Sequence, residues 1–569
     1  MTAEFSNLTR SANINKLQSE PLDVLVIGGG IVGAGLIRDL TLNGGIKTGL
    51  IDQGDFACGT SSASSQLIHG GFRYISKLDI GLVRQSRKER EILHQTAPNL
   101  VKPIPIAILC YKDDPYPFLG VDFAARVYNR LSKSNPNEKS KVIRDCKRIE
   151  TLLGPIATDG LKGCVVLWDS QVDDSRLTLA ILKDAHQHGG IISNYVRFLG
   201  YNKLPDESDS MYQVSVEDVV SGKRFEIKSR RIVSATGPWT DKIWEKDPSY
   251  DGHPRLVSKK AKGVHIILPR CAETSTEVPY GIVAITQSEK TNNEKQRAIF
   301  ILPGQYDTSI IGTTETTPEN ELESVCSSKK EIDYLLSETQ RVYPNLTLNK
   351  DSIIGSYAGV RPLIANNGSQ SRINSRSEFV SRDHLITDSQ SGILYVYGGK
   401  LTTHRQIAEE TVDYIAESLN VARDCKTALL PLPAAISDNN LMPNNIDMDT
   451  LKSSSIANDR DRLIQRYGME GYIKINKLVS EDSTLSDPIS EKLPFIKAEI
   501  AYSCWGEMAI TLEDILWRRT RIGWTQGQGM DIAGSIAELI GEKQNWDQAR
   551  ITSEVEKYNK RIDLLNSNI

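Results

Sequence analysis

The sequence predicts an α/β fold: a Rossmann-like nucleotide-binding domain, an antiparallel-sheet domain inserted into it, and a helical C-terminal domain. Three observations carry this. A short β-rich run from Leu22 to Ile27 breaks into three glycines and is followed by a helical stretch and a second strand, a βαβ unit whose crossover implies a parallel sheet. Several β-rich runs then follow closely between 260 and 315, as antiparallel neighbours do. Beyond about 450 the apolar residues fall mostly at helical spacing.

In chain order, residues 1–20 read as a polar tail with no apolar run, so no signal peptide is expected. Residues 31–42 are expected to be helical and 48–52 to form the second strand of the opening unit. A further strand at 230–237 ends in glycine and proline. The runs at 264–268, 298–302 and 309–312 assign the inserted substrate domain, with segments at roughly 80–165 and 255–360 inside a nucleotide domain spanning 21–435. The chain returns with a strand at 393–399 that runs into a helix from Leu401. Prolines with Asn and Asp make 436–449 a linker, and 450–569 forms the helical domain. Within it, 495–521 shows apolar residues at helix-like spacing and ends in Arg518-Arg519-Thr520-Arg521.

At 569 residues the chain can bury a large core in two or three domains. A net charge of −4 argues against a nucleic-acid partner, which would call for a basic excess. The eight cysteines are scattered without any Cys-x-x-Cys, so neither a disulfide framework nor a metal site is expected. No uninterrupted apolar run is long enough to span a membrane.

The motif Gly28-x-Gly30-x-x-Gly33 lies between strand and helix. Gly28 permits the tight turn, Gly30 lets the backbone approach a pyrophosphate, and Gly33 permits close helix–strand packing. The helix N-terminus offers N–H groups to phosphates, and Asp52, ending the next strand, can accept ribose hydroxyls. A bare motif of this kind also suits a turn that binds nothing; the strand, helix and acid around it favour a dinucleotide. It does not separate NAD from FAD. Thr236 and Gly237 after one strand, and Gly398-Gly399 at another strand–helix junction, favour the longer FAD. The helix from Leu401 could stabilise negative charge on its reduced ring.

The stretches 27–35, 60–74, 172–177, 235–239, 262–265, 311–315, 359–363, 398–403, 507–509 and 512–521 resemble, in order, the FAD-dependent glycerol-3-phosphate dehydrogenases of the aerobic, respiratory type. These belong to the D-amino-acid-oxidase-like flavoproteins. The resemblance implies a FAD domain, a capping substrate domain and a C-terminal helical domain. It implies oxidation of sn-glycerol 3-phosphate to dihydroxyacetone phosphate, with electrons passing to membrane quinone. A cytoplasmic protein peripherally bound to the inner membrane follows, with a homodimer possible. A glycerol-3-phosphate oxidase that reduces oxygen to peroxide shares the same motifs, and a flavin-binding scaffold without turnover is the alternative outside enzymes.

The resemblance places Thr60, Ser61, Ser62, Ser65, Val196, Thr236, Gly237, Gly399, Lys400, Leu401 and Thr402 on the cofactor, beside Gly28, Gly30, Gly33 and Asp52. It places Arg73, Tyr74, His265, Thr313, Arg361, Arg382 and Lys400 around the substrate. Several arginines suit a phosphate dianion, because a guanidinium grips two oxygens at once. His265, in Lys262-Gly-Val-His265, is the first candidate to take the substrate proton, and Arg361 the candidate to stabilise a developing alkoxide. His69 reads as orienting the flavin loop. Asp173 and Asp174 invite a paired-carboxylate reading, but capping of the next helix is preferred. The chain departs from the family at Ile37, Asn43, Gln66 and His404, where Ala, Arg, Lys and Tyr are usual. For membrane docking the candidate stretches are 123–133, apolar and basic together, and 518–524.

Overall fold

The computed structural model describes residues 4–72, 75, 80–130, 138–205, 211–250, 252, 259–272, 276, 278–286, 297–319, 321–363, 379–380, 384–433 and 454–569. Arg73, Tyr74, Arg382 and the 436–449 linker lie outside these residues.

The opening βαβ unit is present as Leu22–Ile27, the helix Ile31–Leu42 and Thr48–Ile51. Four strands run parallel to one another: Ile393–Gly398, Arg224–Ser234, Leu22–Ile27 and Thr48–Ile51, in that spatial order, and Ile191–Ser193 extends them beyond Thr48–Ile51. The Val, Ile and Leu runs of Leu22–Ile27 and of residues 232–233 are what a sheet covered on both faces requires. The helix Ile31–Leu42 is buried almost all round because it packs between Asp174–Gln187 and His404–Leu419. Ile37, one of the departures from the family, sits in this core fully buried. The register aligns the carboxyl ends of the strands, so the turns after Ile27, Ser234 and Gly398 come together along one edge. In open parallel sheets that edge is where ligands bind.

A second sheet runs Gly355–Leu363, Lys259–Pro269, Thr308–Gly312, Ala298–Pro303, Gly281–Ile285, Val101–Tyr111, Leu161–Val172 and Leu67–Ile68. It is antiparallel except where Gly281–Ile285 pairs in parallel with Val101–Tyr111. Its strands lie at 67–68, 101–111 and 161–172 in one part of the chain and between 259 and 363 in the other.

Two local readings are corrected. The stretch taken as a polar tail contains the helix Arg10–Ser19, with Leu17 buried against the parallel sheet. Arg10 anchors it on the Asn194 carbonyl and the Asp218 carboxylate. A polar helix needs few apolar residues when its arginine is paired across the chain, and that pairing leaves no periodic signal. The 495–521 stretch is also not one helix. Lys497–Trp505 ends at Gly506, Met508 takes a left-handed backbone (φ 54°), and Asp514 restarts the chain by accepting the N–H groups of Ile510 and Thr511.

Candidate functional site

The glycine turn is built as its spacing demands. A Cβ on Gly33 would stand 1.8 Å from the Gly28 carbonyl oxygen, so no side chain fits where helix and turn meet. Gly30 holds the N-cap position of the helix and, having no side chain, leaves the approach to its first turn clear. Asp52 accepts Gly29 N–H at 2.6 Å and Gly54 N–H at 2.8 Å, and burial pushes its carboxyl up to about 6. Val196 contributes backbone, donating its N–H to the Asp52 carbonyl at 2.7 Å.

The other two junctions lie beside this turn. Thr236 and Gly237 follow the strand Arg224–Ser234, and Gly237 opens a short 3-10 turn with φ 53°. Gly399 (φ 81°) and Lys400 lead into the turn Leu401–Thr403, where Thr402 is buried. His404 follows, buried, with Nδ1 2.8 Å from the Leu401 carbonyl oxygen. Burial brings its pKa down to about 4, so this departure places a neutral ring at the helix start. The second departure, Gln66, has a left-handed backbone (φ 55°) and a buried side-chain amide nitrogen without a hydrogen-bond partner. Three glycine junctions on one edge, a helix N-terminus beside them and an orphaned buried amide fit a dinucleotide with a polar ring system.

The substrate-side candidates come from three adjoining strands of the second sheet. His265 stands opposite Gly312 on one side and Tyr357 on the other, and Ala261 opposite Arg361. Arg361 Nη2 donates to Thr313 Oγ1 at 3.0 Å. Both side chains pass over Gly263, where a Cβ would lie 2.6 Å from the guanidinium and 2.7 Å from the hydroxyl. That explains the glycine in Lys262-Gly-Val-His265. Lys262 itself is drawn into a buried pair with Glu331 at 2.8 Å, away from the cluster. His265 Nε2 lies 2.8 Å from Ser65 Oγ, and its ring stacks on Tyr357 with centroids 4.9 Å apart. Burial first, and the Arg361 charge second, bring its pKa down to about 3, so the ring is neutral near pH 7.

The hydroxyl-rich loop joins the two halves. On one side Ser61 Oγ accepts the Ile31 N–H at 2.9 Å. On the other, Thr60 donates to the Val360 carbonyl at 2.6 Å, and Tyr357 OH donates to the Ser64 carbonyl at 3.0 Å. Thr60 and Ser65, expected on the cofactor, thus direct their hydroxyls to the second sheet, and Ser62 presents its carbonyl to Arg521. Tyr357 and Ser64 were not singled out from sequence. A tyrosine two residues before Gly359-Val-Arg361 reads as an ordinary buried strand residue.

The Arg518–Trp524 stretch, a candidate membrane surface, is instead buried. Arg518 and Arg519 both pair with Asp55 at 2.6 Å. Arg521 donates to the Ser62 carbonyl at 3.1 Å, to Asp173 at 3.2 Å and to Asp174. Paired guanidiniums hold Asp55 at about 2 and Asp173 lower still, while burial leads Asp174 up to about 6. Asp173 also caps its helix through Arg176 N–H. The acidic pair therefore both caps and clamps.

Comparison with known proteins settles the family. Residues 23–413 match the FAD-dependent oxidoreductase family, and 425–551 match the C-terminal domain of alpha-glycerophosphate oxidase. Glycerol-3-phosphate dehydrogenase of Synechocystis is 32% identical over 97% of this chain and 98% of its own length. The chain belongs to the glycerol-3-phosphate dehydrogenase family of FAD-dependent oxidoreductases. Its cofactor is FAD. The human mitochondrial glycerol-3-phosphate dehydrogenase is 30% identical over 97% of this chain and 75% of its own length. The solved glycerol-3-phosphate dehydrogenase of Bacillus halodurans, complexed with FAD, superposes with a TM-score of 0.77 at 26% identity, over 99% of both chains.

Proposed function

We propose that this chain oxidises the C2 hydroxyl of sn-glycerol 3-phosphate to the ketone of dihydroxyacetone phosphate. The observation that carries this reading is the Arg361–Thr313 pair over Gly263, two residues along the strand from His265, whose partner Ser65 lies in the loop that also bonds the cofactor turn through Ser61. FAD, held by the three glycine junctions, Asp52 and the 60–65 loop, supplies the hydride acceptor when bound. Arg361, with Lys400, Arg73, Tyr74 and Arg382, binds the phosphate and the developing negative charge. Thr313 fixes the Arg361 fork. The hydroxyl proton passes to the neutral His265, and Ser65 Oγ, within hydrogen-bond range of Nε2, can relay it. Burial, and then the Arg361 charge, keep the ring neutral before substrate binds, the state in which it can accept that proton.

We infer that the electrons leave to a membrane quinone at the inner-membrane surface. No helix among the described residues is long and apolar enough to cross a membrane, so contact would be peripheral. The helix Phe118–Arg130 supports one such surface: Leu119 and Phe123 are 69% and 68% exposed, and Tyr116 just before it 53%. Side chains this apolar and this bare suit insertion among lipid headgroups. Replacing Leu119 and Phe123 together by Ser should release the protein from anionic vesicles in a flotation assay without changing its flavin content.

The catalytic reading is tested by supplying glycerol 3-phosphate with a soluble quinone analogue, and separately with oxygen, while measuring dihydroxyacetone phosphate. The expected result is one ketone per quinone reduced, with slow peroxide formation. Fast peroxide formation would make the protein an oxidase, and absence of the ketone with either acceptor would overturn the reading.

A further inference from the structure

The C-terminal domain reaches the site through a column of flat groups. His265 stacks on Tyr357 at 4.9 Å with planes 10° apart, and Tyr357 stacks on Trp524 at 4.6 Å and 20°. The Arg521 guanidinium lies 4.3 Å over the Trp524 ring. Arg521 is in turn fixed by Asp173, Asp174 and the Ser62 carbonyl.

His265 has little else to set its plane. Its Nε2 meets Ser65, whereas Nδ1 is buried without a hydrogen-bond partner. Its edge fills the space above Gly312, where a Cβ would stand 2.1 Å from the ring. Both of its ordered contacts trace back to the C-terminal segment. Tyr357 leans on Trp524, and Ser65 follows Ser64, whose N–H and hydroxyl are held by Asp174 at 3.0 and 2.6 Å. Trp524 is buried, yet its indole N–H has no partner, so the ring serves here through its face.

We propose that Trp524 is a positioning residue for His265, acting through Tyr357, and that the C-terminal domain thereby aligns the proton-accepting group of the site. This rests on the glycerol 3-phosphate reading above. A base displaced by a fraction of an ångström loses rate while the phosphate is still gripped, so the effect falls on the chemical step and not on binding.

The test is anaerobic stopped-flow reduction of the FAD holoenzyme by glycerol 3-phosphate, in wild type, Trp524→Leu and Trp524→Phe, with flavin content and thermal midpoint measured alongside. Trp524→Leu is expected to lower the limiting reduction rate by about tenfold or more, with the substrate dissociation constant changed less than about threefold. Trp524→Phe, which keeps a ring face, should restore most of the rate. Should Trp524→Leu fail to retain FAD, Trp524→Met fills the volume without a ring and is read by the same criteria. An unchanged rate in the ringless variant, or equal losses in the ringless and Phe variants, overturns the proposal while wild-type reduction leaves the functional reading standing. Wild type that is not reduced overturns that reading and this one with it.

Discussion

The 52–65 loop is held from two sides by different chemistry. On the sheet side, Asp52 and Ser61 bind backbone N–H groups of a glycine turn within the same βαβ unit. On the C-terminal side, Asp55, Ser62 and Ser64 are held by Arg518, Arg519, Arg521 and Asp174, residues from far along the chain and almost all buried. The first arrangement shapes a surface for a ligand. The second locks a domain onto that surface, and its buried charges are tolerable only because every guanidinium has a carboxylate facing it. A nucleotide site can thus be local, while the proposed substrate site beside it depends on the whole chain.

The comparison breaks most sharply at Asp55. Asp55→Ala strips the buried Arg519 of its carboxylate and leaves Arg518 to Asp514 and Glu513, and breaking such a buried pair costs about 3–5 kcal/mol. Denaturant unfolding should show that loss, with the C-terminal domain becoming protease-sensitive. Gly33→Ala acts on the other side. Its Cβ would meet a backbone carbonyl that cannot move aside, so the purified protein should carry less than about a tenth of the wild-type FAD. If Asp55→Ala emptied the flavin site as fully, the two sides would not be separable.

Arg361→Ala should leave FAD in place and lower kcat/KM for glycerol 3-phosphate by roughly 10- to 100-fold, the worth of a charge-assisted hydrogen bond. Steady-state kinetics with the quinone analogue checks this. The smallest perturbation is pH alone. His265, His94 and His404 are brought down by burial to about 3, 4 and 4, whereas a bond to Asp184 raises His188 above 6.5. In a histidine NMR titration the first three should stay neutral at pH 5 and His188 should already be charged. For His265 the unfolded chain takes a proton below about 6.5 and the folded one does not. Its contribution to stability is therefore present above that pH and lost as pH falls toward about 3.

What was legible in the sequence follows the same division. The glycine turn, the strand before it and the acid after it lie within one βαβ unit, so their spacing carries their meaning. The strand ends at Gly237 and Gly399 were readable because a strand closing in glycine is a local pattern. Tyr357, Trp524, Asp55 and Arg521 were not readable in these roles. Each acts on a partner more than a hundred positions away or through a stacked ring, and nothing in its own neighbourhood distinguishes it from a core aromatic or a surface ion pair. The exposed Arg518–Trp524 reading failed for that reason: a run of arginines looks like surface until its carboxylates are brought to it.

We propose that these parts make one site for glycerol 3-phosphate beside the flavin. The most direct measurement is anaerobic titration of the FAD holoenzyme with glycerol 3-phosphate, and in parallel with glycerol, following the visible flavin absorbance. Bleaching is expected with about one equivalent of the phosphorylated triol and none with a similar amount of glycerol. Bound FAD that stays oxidised with glycerol 3-phosphate, or that bleaches equally well with glycerol, would contradict it.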